Sequence, residues 1–262
     1  MSRSSHHSAE SGRGVLVTGA SRGIGRAIAT AFAQAGDRVA VHCSSRPEDA
    51  ARTLESLPGS GHVLVRADLA DPGQVQRLVG EAVDGLGALD VLVNNAAVMT
   101  PHPPATTSYA DWQAAWRSTV EVNLLGAANL SHQVAAHLIE RGATGRIVNV
   151  GSRGAFRGEP DHPAYAASKA ALHALGQSLA VALAPHGIAV VSVAPGSSRP
   201  NASRAGWRGS RAPTSGRRAR SAGSRRRRRS LRPCCTWPHR RRPGPRARCS
   251  TSTARPTCAP ES

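Results

Sequence analysis

Two side chains that could carry acid–base chemistry stand four residues apart, at Tyr165 and Lys169, and Lys169 is the only lysine of the 262-residue chain. On a helix, this spacing puts both side chains on the same face. An ammonium group beside a phenol favours the phenolate, which moves the tyrosine pKa from about 10 toward the working pH. Such a tyrosine can donate a proton to a carbonyl oxygen or accept one from a hydroxyl. The same pattern also occurs by chance in exposed helical pairs, so its interpretation depends on the surrounding elements.

A glycine-rich loop near the N-terminus predicts a site for a phosphate-bearing ligand. Residues 14–19 are typical of a short buried strand, and residues 26–35 are apolar at helical spacing. Between them lies the sequence Gly-Ala-Ser-Arg-Gly-Ile-Gly, residues 19–25. Its glycines permit a tight turn and a close approach of the backbone, and the helix N-terminus offers amide groups to a pyrophosphate. Strand, loop and helix together predict the first unit of a dinucleotide-binding fold.

The end of the second predicted strand, residues 38–42, indicates which dinucleotide would bind. A site for NAD(H) usually carries an acidic side chain here, which binds the ribose 2′-hydroxyl. This chain has Cys43, Ser44, Ser45 and Arg46 instead. Together with Arg22 in the glycine loop, these residues favour a 2′-phosphate, and hence NADP(H) rather than NAD(H). The alternative is an ordinary polar loop with no role in cofactor choice.

The rest of the body continues the alternation of strands and helices. Helices are predicted around 47–57, 72–86, 111–141 and 165–184, and strands at 62–66, 89–93, 146–150 and 188–193. Six strands alternating with helices predict an α/β fold with a Rossmann-type, doubly wound parallel sheet and right-handed crossovers. The candidate residues then lie at the carboxyl ends of strands or on the helices beside them, where such sheets bind ligands.

The distribution of charge and cysteine argues against other kinds of site in the body. Residues 1–196 balance to zero charge, so the net charge of +18 falls entirely on residues 197–262. No C-x-x-C motif and no His/Cys pair has zinc-ligand spacing, and we expect no metal site. The N-terminus is polar, and no apolar run is long enough to cross a membrane. We therefore expect a cytoplasmic protein without a membrane partner.

Taken together, these motifs show that the chain resembles the short-chain dehydrogenase/reductase family, closest to its 3-oxoacyl-[acyl-carrier-protein] reductase-like members. The resemblance covers residues 14–196, with the motifs in the family's order and spacing. The matching residues are Thr18 to Gly25, Asp68-Leu69, Asn94-Asn95-Ala96-Ala97, Asn123, Ser152, Tyr165-x-x-x-Lys169 and Pro195-Gly196. Ala97 departs from the glycine that the family most often has. The resemblance implies an oxidoreductase that interconverts a carbonyl and a secondary alcohol by hydride transfer.

The resemblance also implies a role for each motif. Tyr165 would be the general acid/base, and Lys169 would lower its pKa and hold the nicotinamide ribose. Ser152 would bind the substrate oxygen, and Asn123 would support a water-linked proton relay near Lys169. Asp68 and Leu69 would flank the adenine, and Asn95 the ribose region. The full predicted cofactor set is Thr18, Gly19, Ser21, Arg22, Gly23, Ile24, Gly25, Ser44, Ser45, Arg46, Asp68, Leu69, Asn95, Ala96, Tyr165, Lys169, Pro195 and Gly196.

Residues 197–262 break with the pattern of the body. They hold 19 arginines, including the run Arg225–Arg229, and Leu231 is their only aliphatic side chain beyond alanine. Because such a segment cannot bury enough apolar surface to offset its ordering entropy, we expect a disordered basic tail. We therefore predict six strands where the family has seven. Residues 1–12 are also expected to be disordered, which leaves 13–196 as the dinucleotide-binding domain.

Two interpretations of the tail compete. An arginine-rich arm binds nucleic-acid phosphates without sequence preference. Alternatively, the tail is translated out of frame. If GC-rich codons are assumed, a step back of one nucleotide turns residues 227–237 into E-E-V-A-A-A-V-L-Y-L-A and residues 247–254 into A-V-L-D-V-N-G-A. These stretches resemble the family's late helix and last strand, so we favour a frameshift and expect no specific nucleic-acid partner.

The sequence thus leaves three hypotheses about function. The preferred one is an NADP(H)-dependent enzyme that acts on a small-molecule or acyl-carrier-bound carbonyl substrate. The second is a catalytically inactive dinucleotide-binding remnant, because the substrate loop, helix and last strand that the family has after Gly196 would be missing. Nucleic-acid binding through the tail ranks last. The resemblance also implies a homo-oligomer, although the C-terminus that the family often uses in subunit contacts is altered here.

Overall fold

The structure is a computed structural model that describes residues 12–196. The predictions for residues 1–11 and for the basic segment 197–262 lie outside the described residues. The strands are β1 (Gly14–Val17), β2 (Arg38–Cys43), β3 (Val63–Arg66), β4 (Val91–Asn94), β5 (Gly145–Val150) and β6 (Ile188–Val193). The α-helices are α1 (Gly23–Gln34), α2 (Pro47–Glu55), α3 (Pro72–Leu86), α4 (Tyr109–Val120), α5 (Ala127–Glu140) and α6 (Pro163–Leu183).

The strands form one parallel sheet in the spatial order β3-β2-β1-β4-β5-β6. The chain builds outward from β1 to β3, returns to pair β4 with β1, and then builds outward to β6. A doubly wound sheet opens a crevice at the carboxyl ends of its strands where this order reverses, here between β1 and β4. The described residues therefore confirm the predicted fold class, including its six strands.

The central strands β1 and β4 are buried on both faces of the sheet, and successive residues of a strand serve opposite faces. Leu16 of β1 packs in a cluster that includes side chains of α3 and α5. Its neighbours Val15 and Val17 pack in a second cluster, which includes side chains of α1 and α2. All three are fully buried. The continuous apolar run of β1 is therefore explained by helices on both sides.

Helix α3 shows why some boundaries were predictable to the residue. Pro72 is its first residue, and the Asp71 carboxylate accepts hydrogen bonds from the backbone amides of Gly73 (2.8 Å) and Gln74 (3.2 Å). The helix ends before Gly87, whose φ of 74° is left-handed. These local signals lie in the sequence itself, and the predicted range 72–86 is confirmed.

The long helical stretch predicted around 111–141 is confirmed, but it contains a wider turn that the prediction did not include. Helix α4 ends at Val120, and residues 121–126 form a π-helical turn before α5. Gly126 lies against Leu69, because a Cβ at Gly126 would be 2.7 Å from the Leu69 carbonyl oxygen. Hydrophobic periodicity did not reveal the turn, since one wide turn changes the apolar pattern little. Such turns are frequent at functional sites, and this one carries Asn123.

Strand β6 is the edge of the sheet within the described residues. Val191 and Val193 are 51% and 45% exposed, and Val181 of α6, which packs beside β6, is 79% exposed. An edge strand offers unpaired backbone groups to other chains, and exposed apolar side chains add to that tendency. This edge is therefore the part of the described fold that is most open to self-association.

Candidate active site

The crevice between β1 and β4 is a cleft of about 730 Å³. Ligand pockets in proteins usually measure about 300–1,000 Å³, so a nucleotide is of suitable size. The cleft brings together most of the predicted cofactor set, from the ends of four strands and the loops that follow them. The members that line it are Gly19, Ser21, Arg22, Gly23, Ile24, Gly25, Ser44, Ser45, Arg46, Asp68, Leu69, Asn95 and Ala96.

The glycine loop leads directly into α1, which begins at Gly23 rather than at the predicted Arg26. Gly19 has a left-handed φ of 64°. A Cβ at Gly25 would collide with the Gly19 carbonyl oxygen and the side-chain amide of Asn95. Within the described residues no side chain caps the first turn of α1, so its amides are available to an anion. The loop therefore fits the pyrophosphate of a dinucleotide.

Thr18 and Asn95 join β1 to β4 below the cleft. Thr18 Oγ1 accepts hydrogen bonds from the backbone amides of Asn95 (2.9 Å) and Ala96 (3.0 Å). The Asn95 side-chain amide donates to the carbonyl oxygens of Thr18 (2.8 Å) and Gly19 (3.2 Å). Thr18 is 1% exposed and does not line the cleft, although it belongs to the predicted cofactor set. Its contacts indicate that it acts by fixing the loops on either side.

His42 lies directly beneath the glycine loop, a position that the sequence did not reveal. Its ring is 1% exposed, and Nδ1 accepts a hydrogen bond from the Gly19 amide at 3.1 Å. The proton is therefore on Nε2, which donates to the Ala67 carbonyl oxygen at 3.1 Å. Burial lowers the pKa of His42 to about 4, so the imidazole is neutral near pH 7. In the sequence, a histidine at a strand end carries no signal of this contact.

The far end of the cleft carries the groups predicted to select a 2′-phosphate. Residues 44–46 and Arg22 are exposed there. Arg66, at the end of β3, donates from Nε to the Ser44 carbonyl oxygen at 3.0 Å, which brings a further guanidinium to the same corner. Arg66 was not among the predicted site residues, because an exposed arginine at the end of a strand resembles an ordinary surface residue. The Arg46 guanidinium lies 3.8 Å from the Asp49 carboxylate, a loose ion pair.

A smaller cleft of about 230 Å³ shares residues of the glycine loop and of the β4 end with the first. Three of the four predicted catalytic residues line it: Ser152, Tyr165 and Lys169. Pro195 and Gly196, the last members of the predicted cofactor set, line it as well. The structure therefore brings these predicted acid–base residues next to the larger cleft between β1 and β4.

Ser152 lies two residues after the end of β5 and caps a short 3₁₀ turn, Arg153–Ala155. Its Oγ accepts a hydrogen bond from the Gly154 amide at 3.0 Å. The hydroxyl proton can still be donated, because the amide contact uses only a lone pair. A carbonyl oxygen in the smaller cleft is a suitable acceptor.

Lys169 is 2% exposed, and its Nζ donates to the Val150 carbonyl oxygen at 2.8 Å. The same nitrogen lies 5.8 Å from the centroid of the Tyr165 ring. Burial lowers the pKa of Lys169 to about 8. The side chain is therefore held at the end of β5 with most of its population still charged at neutral pH, on the same side of α6 as the tyrosine.

Asn123, the fourth predicted catalytic residue, does not line either cleft. Its Oδ1 accepts from the Val98 amide at 2.8 Å, and its Nδ2 donates to the Val98 carbonyl oxygen at 2.9 Å and to Ser168 Oγ at 3.1 Å. Ser168 Oγ in turn donates to the Tyr165 carbonyl oxygen at 2.8 Å. In the described structure, Asn123 thus ties the π-helical turn to α6, and the predicted water relay to Lys169 stays a prediction.

Residues 12–196 contain neither a cluster of metal-binding side chains nor a membrane-spanning helix. No three histidine, cysteine or acidic side chains lie close enough there to hold a metal ion. Over the same residues, no helix has the length and hydropathy needed to cross a lipid bilayer.

Comparisons with known proteins agree with the geometry. Residues 13–208 match the family model described as short chain dehydrogenase. The chain is 39% identical over 188 residues to an uncharacterized oxidoreductase of Thermotoga maritima, covering 71% of each protein. It is 35% identical over 186 residues to the 3-oxoacyl-[acyl-carrier-protein] reductase FabG of Staphylococcus aureus, covering 70% of this chain and 74% of that one.

A solved structure shares the fold as well. The chain superposes on a gluconate 5-dehydrogenase from Burkholderia cenocepacia, solved in complex with NADP and tartrate, with a TM-score of 0.62 and 33% identity. The match covers 71% of both chains. With this fold, these clefts and these relatives, the chain belongs to the short-chain dehydrogenase/reductase family of oxidoreductases.

Proposed function

We propose that this chain binds NADP(H) and interconverts a carbonyl and a secondary alcohol. The observation that carries the proposal is the position of Ser152, Tyr165 and Lys169 in one small cleft beside the dinucleotide cleft. The uncapped N-terminus of α1 offers free backbone amides to a pyrophosphate in the larger cleft. When bound, the nicotinamide supplies the hydride chemistry, and the protein supplies position and a proton.

The side chains of the smaller cleft divide the remaining work. In reduction, Tyr165 gives its phenolic proton to the carbonyl oxygen that becomes the alcohol, and in oxidation it takes that proton back. Ser152 donates a hydrogen bond to the same oxygen and orients it. The Lys169 ammonium, 5.8 Å from the phenol ring centroid, stabilises negative charge on the phenolate. The Val150 carbonyl keeps the ammonium in place.

The preference for NADP(H) rests on the corner formed by the ends of β2 and β3. No acidic residue occurs in the stretch 43–46, where an NAD(H) site usually has one. Arg22, Arg46 and Arg66 offer guanidinium groups to a 2′-phosphate, which they bind through charge-assisted hydrogen bonds. The structural relative from Burkholderia cenocepacia, which has NADP bound, supports this choice.

The substrate class that we propose is a small-molecule or acyl-carrier-bound carbonyl compound. The name of the Staphylococcus aureus relative supports the acyl-carrier option. The second function, a catalytically inactive dinucleotide-binding protein, is favoured by the exposed apolar edge at β6, since a missing strand and helix would leave that edge open.

Cofactor binding and turnover on the full chain separate the two functions. Titration with NADPH, followed by the fluorescence of the nicotinamide, tests the first step, and a panel of ketones and acyl-carrier-bound 3-oxo compounds tests the second. Binding with turnover supports the enzyme, and binding without turnover supports the inactive protein. A chain that binds neither NADPH nor NADH would overturn both. DNA binding that weakens with salt and disappears when residues 197–262 are deleted would support the nucleic-acid hypothesis instead.

A further inference from the structure

His102 connects four segments around the start of α6. It lies in the loop between β4 and α4 and is 1% exposed. Its backbone amide donates to the Asp161 carbonyl oxygen at 2.8 Å, and its Nδ1 lies 2.7 Å from the Thr100 carbonyl oxygen. Its Nε2 accepts a hydrogen bond from the Ala164 amide at 3.1 Å. The Trp112 ring of α4 meets the imidazole edge to face, with centroids 5.4 Å apart.

The first turn of α6 depends on this imidazole for its hydrogen bonding. The helix begins at Pro163, which has no amide proton, and the preceding His162 makes no side-chain capping bond. Ala164 therefore has the first N–H group of the helix, and this residue is fully buried. A buried amide without an acceptor is costly, by about 1–3 kcal/mol. His102 supplies that acceptor from 62 residues earlier in the chain.

The two ring nitrogens have different tasks. Because Nε2 accepts the Ala164 amide proton, the imidazole proton is on Nδ1, and it is donated to the Thr100 carbonyl oxygen. The contact at Nε2 requires a free lone pair on that nitrogen, since an N–H group there would face the Ala164 amide proton.

We propose that His102 is a positioning residue of the active site, which fixes the backbone from which Tyr165 presents its phenol. Ala164 directly precedes Tyr165. The hydrogen bond from the Ala164 amide to Nε2 therefore fixes the position of the Tyr165 backbone relative to the cleft. Lys169 has an anchor of its own at Val150, and the first turn of α6 is therefore the part that depends on His102. The proposal deepens the proposed function, on which it rests.

Two conservative variants separate the two hydrogen bonds of the ring. In His102→Gln, the longer side chain can place its carbonyl oxygen near the position of Nε2 and accept from Ala164. In His102→Asn, the shorter side chain can place its amide near the position of Nδ1 and donate to Thr100, but it cannot reach Ala164. Both are polar and of similar size, so a general loss of folding should affect them alike.

The first measurement is amide hydrogen exchange at Ala164 in the full chain. We expect the parent and His102→Gln to protect this amide similarly, and His102→Asn to exchange about tenfold faster or more, which corresponds to 1.4 kcal/mol. Equal exchange in the two variants would overturn the proposed cap. This readout requires neither cofactor nor turnover.

The second measurement compares turnover with the affinity for NADPH. If His102 positions Tyr165, His102→Asn should lower turnover about tenfold while the affinity for NADPH stays within about twofold, and His102→Gln should restore turnover. Unchanged turnover of His102→Asn would refute the positioning role. A parent chain without turnover would overturn the proposed enzyme function, and the exchange comparison then decides the proposal about His102.

Discussion

The Nζ atom of Lys169 is bound to the carbonyl oxygen of Val150, 2.8 Å away at the end of β5, and not to a carboxylate. A carbonyl carries only a partial negative charge, so it offsets little of the cost of burying an ammonium group. The pKa of Lys169 is accordingly lowered to about 8 by burial. The strand end thus holds the ammonium beside the Tyr165 ring without neutralising it.

Replacing Lys169 with methionine should remove a pH-dependent part of the stability of the cofactor-free protein. The unfolded chain keeps the lysine proton up to a pH near 10.5, whereas the folded protein loses it near pH 8. Between these values the unfolded state binds more protons, so the free energy of unfolding rises with pH, and below pH 8 the penalty is constant. Between pH 8 and pH 10.5, the free energy of unfolding of the parent should rise by about 3 kcal/mol relative to that of Lys169→Met, as measured by denaturant unfolding. A difference that does not vary with pH would contradict the lowered pKa.

Replacing Tyr165 with phenylalanine should remove the proton donor and leave the cofactor site nearly intact. In a protein with the reading frame restored, we expect turnover to fall by about 10²–10⁴-fold, the usual contribution of general acid–base catalysis, and NADPH affinity to change much less. The chain has one other tyrosine, Tyr109, which is 75% exposed on α4, so Tyr109→Phe is the matched control. Near-parental turnover of Tyr165→Phe on every substrate would refute the assignment.

Cofactor choice should depend on the arginines of the β2 and β3 ends. NADPH should bind about tenfold more tightly than NADH or better, because charge-assisted hydrogen bonds contribute about 1.5–3 kcal/mol each. Arg22→Ala, Arg46→Ala and Arg66→Ala should each narrow this gap, as measured by fluorescence titration with both cofactors. Arg52→Ala is the control, since Arg52 pairs with Asp49 on α2 and does not line the cleft. Equal affinity of the parent for both cofactors would disprove the preference.

Acid should weaken the protein through His42. The folded state keeps this imidazole neutral down to a pH of about 4, whereas the unfolded chain binds the proton near pH 6.5. The stability gained from the neutral ring is therefore complete above pH 6.5 and is lost as the pH falls toward 4, by up to about 3 kcal/mol. Asp68 acts against this effect, because its carboxylate raises the pKa of His42.

The matched variant for this prediction is His42→Asn. Its side-chain oxygen can occupy the position of Nδ1 and accept from the Gly19 amide, but it cannot bind a proton in this range. In unfolding experiments between pH 7 and pH 4, the free energy of unfolding should therefore fall more steeply for the parent than for His42→Asn. Parallel curves would show that the acid sensitivity comes from other groups.

If the segment after residue 196 is translated out of frame, the 262-residue chain should express poorly and turn over little or no carbonyl substrate, because β6 is an edge strand within the described residues and would stay uncovered. Shifting the reading frame after residue 196 should then increase both the soluble yield and the turnover. The amino-acid sequence read in the shifted frame resembles the helix and strand that cover this edge in the family. Resequencing the gene across codons 190–200 comes first. A soluble, cooperatively unfolding and active enzyme made from the chain as written would contradict the frameshift.

Sequence patterns were sufficient where the cause of a feature is local. The glycine loop, the caps of α3 and the spacing of Tyr165 and Lys169 all lie within a few residues, so their structures followed from the chain itself. The alternation of strands and helices gave the sheet topology as well, because crossovers between parallel strands have one strongly preferred hand.

Contacts between distant segments could not be predicted in this way. The hydrogen-bond partners of His42 lie 23 and 25 residues away in the sequence. The Ala164 amide, which donates a hydrogen bond to His102, lies 62 residues away from it. Thr18 belongs to a family motif and was assigned to the cofactor, yet its hydroxyl bonds the loop after β4. The motif indicates that Thr18 is important for the site, but only the structure shows which contacts it makes.

The position of β1 at the centre of the sheet has a consequence for the order of folding during synthesis. The half made of β3, β2 and β1 comes from contiguous residues, and all its pairings are available once β3 has left the ribosome. The other side of β1 must wait for β4, and the hydroxyl of Thr18 meets its partner Val93 only across 75 residues. Closing a loop of that length is slow relative to local pairing. Until then the edge of β1 that later pairs with β4 stays unpaired, so the nascent half-sheet offers its backbone groups to other chains.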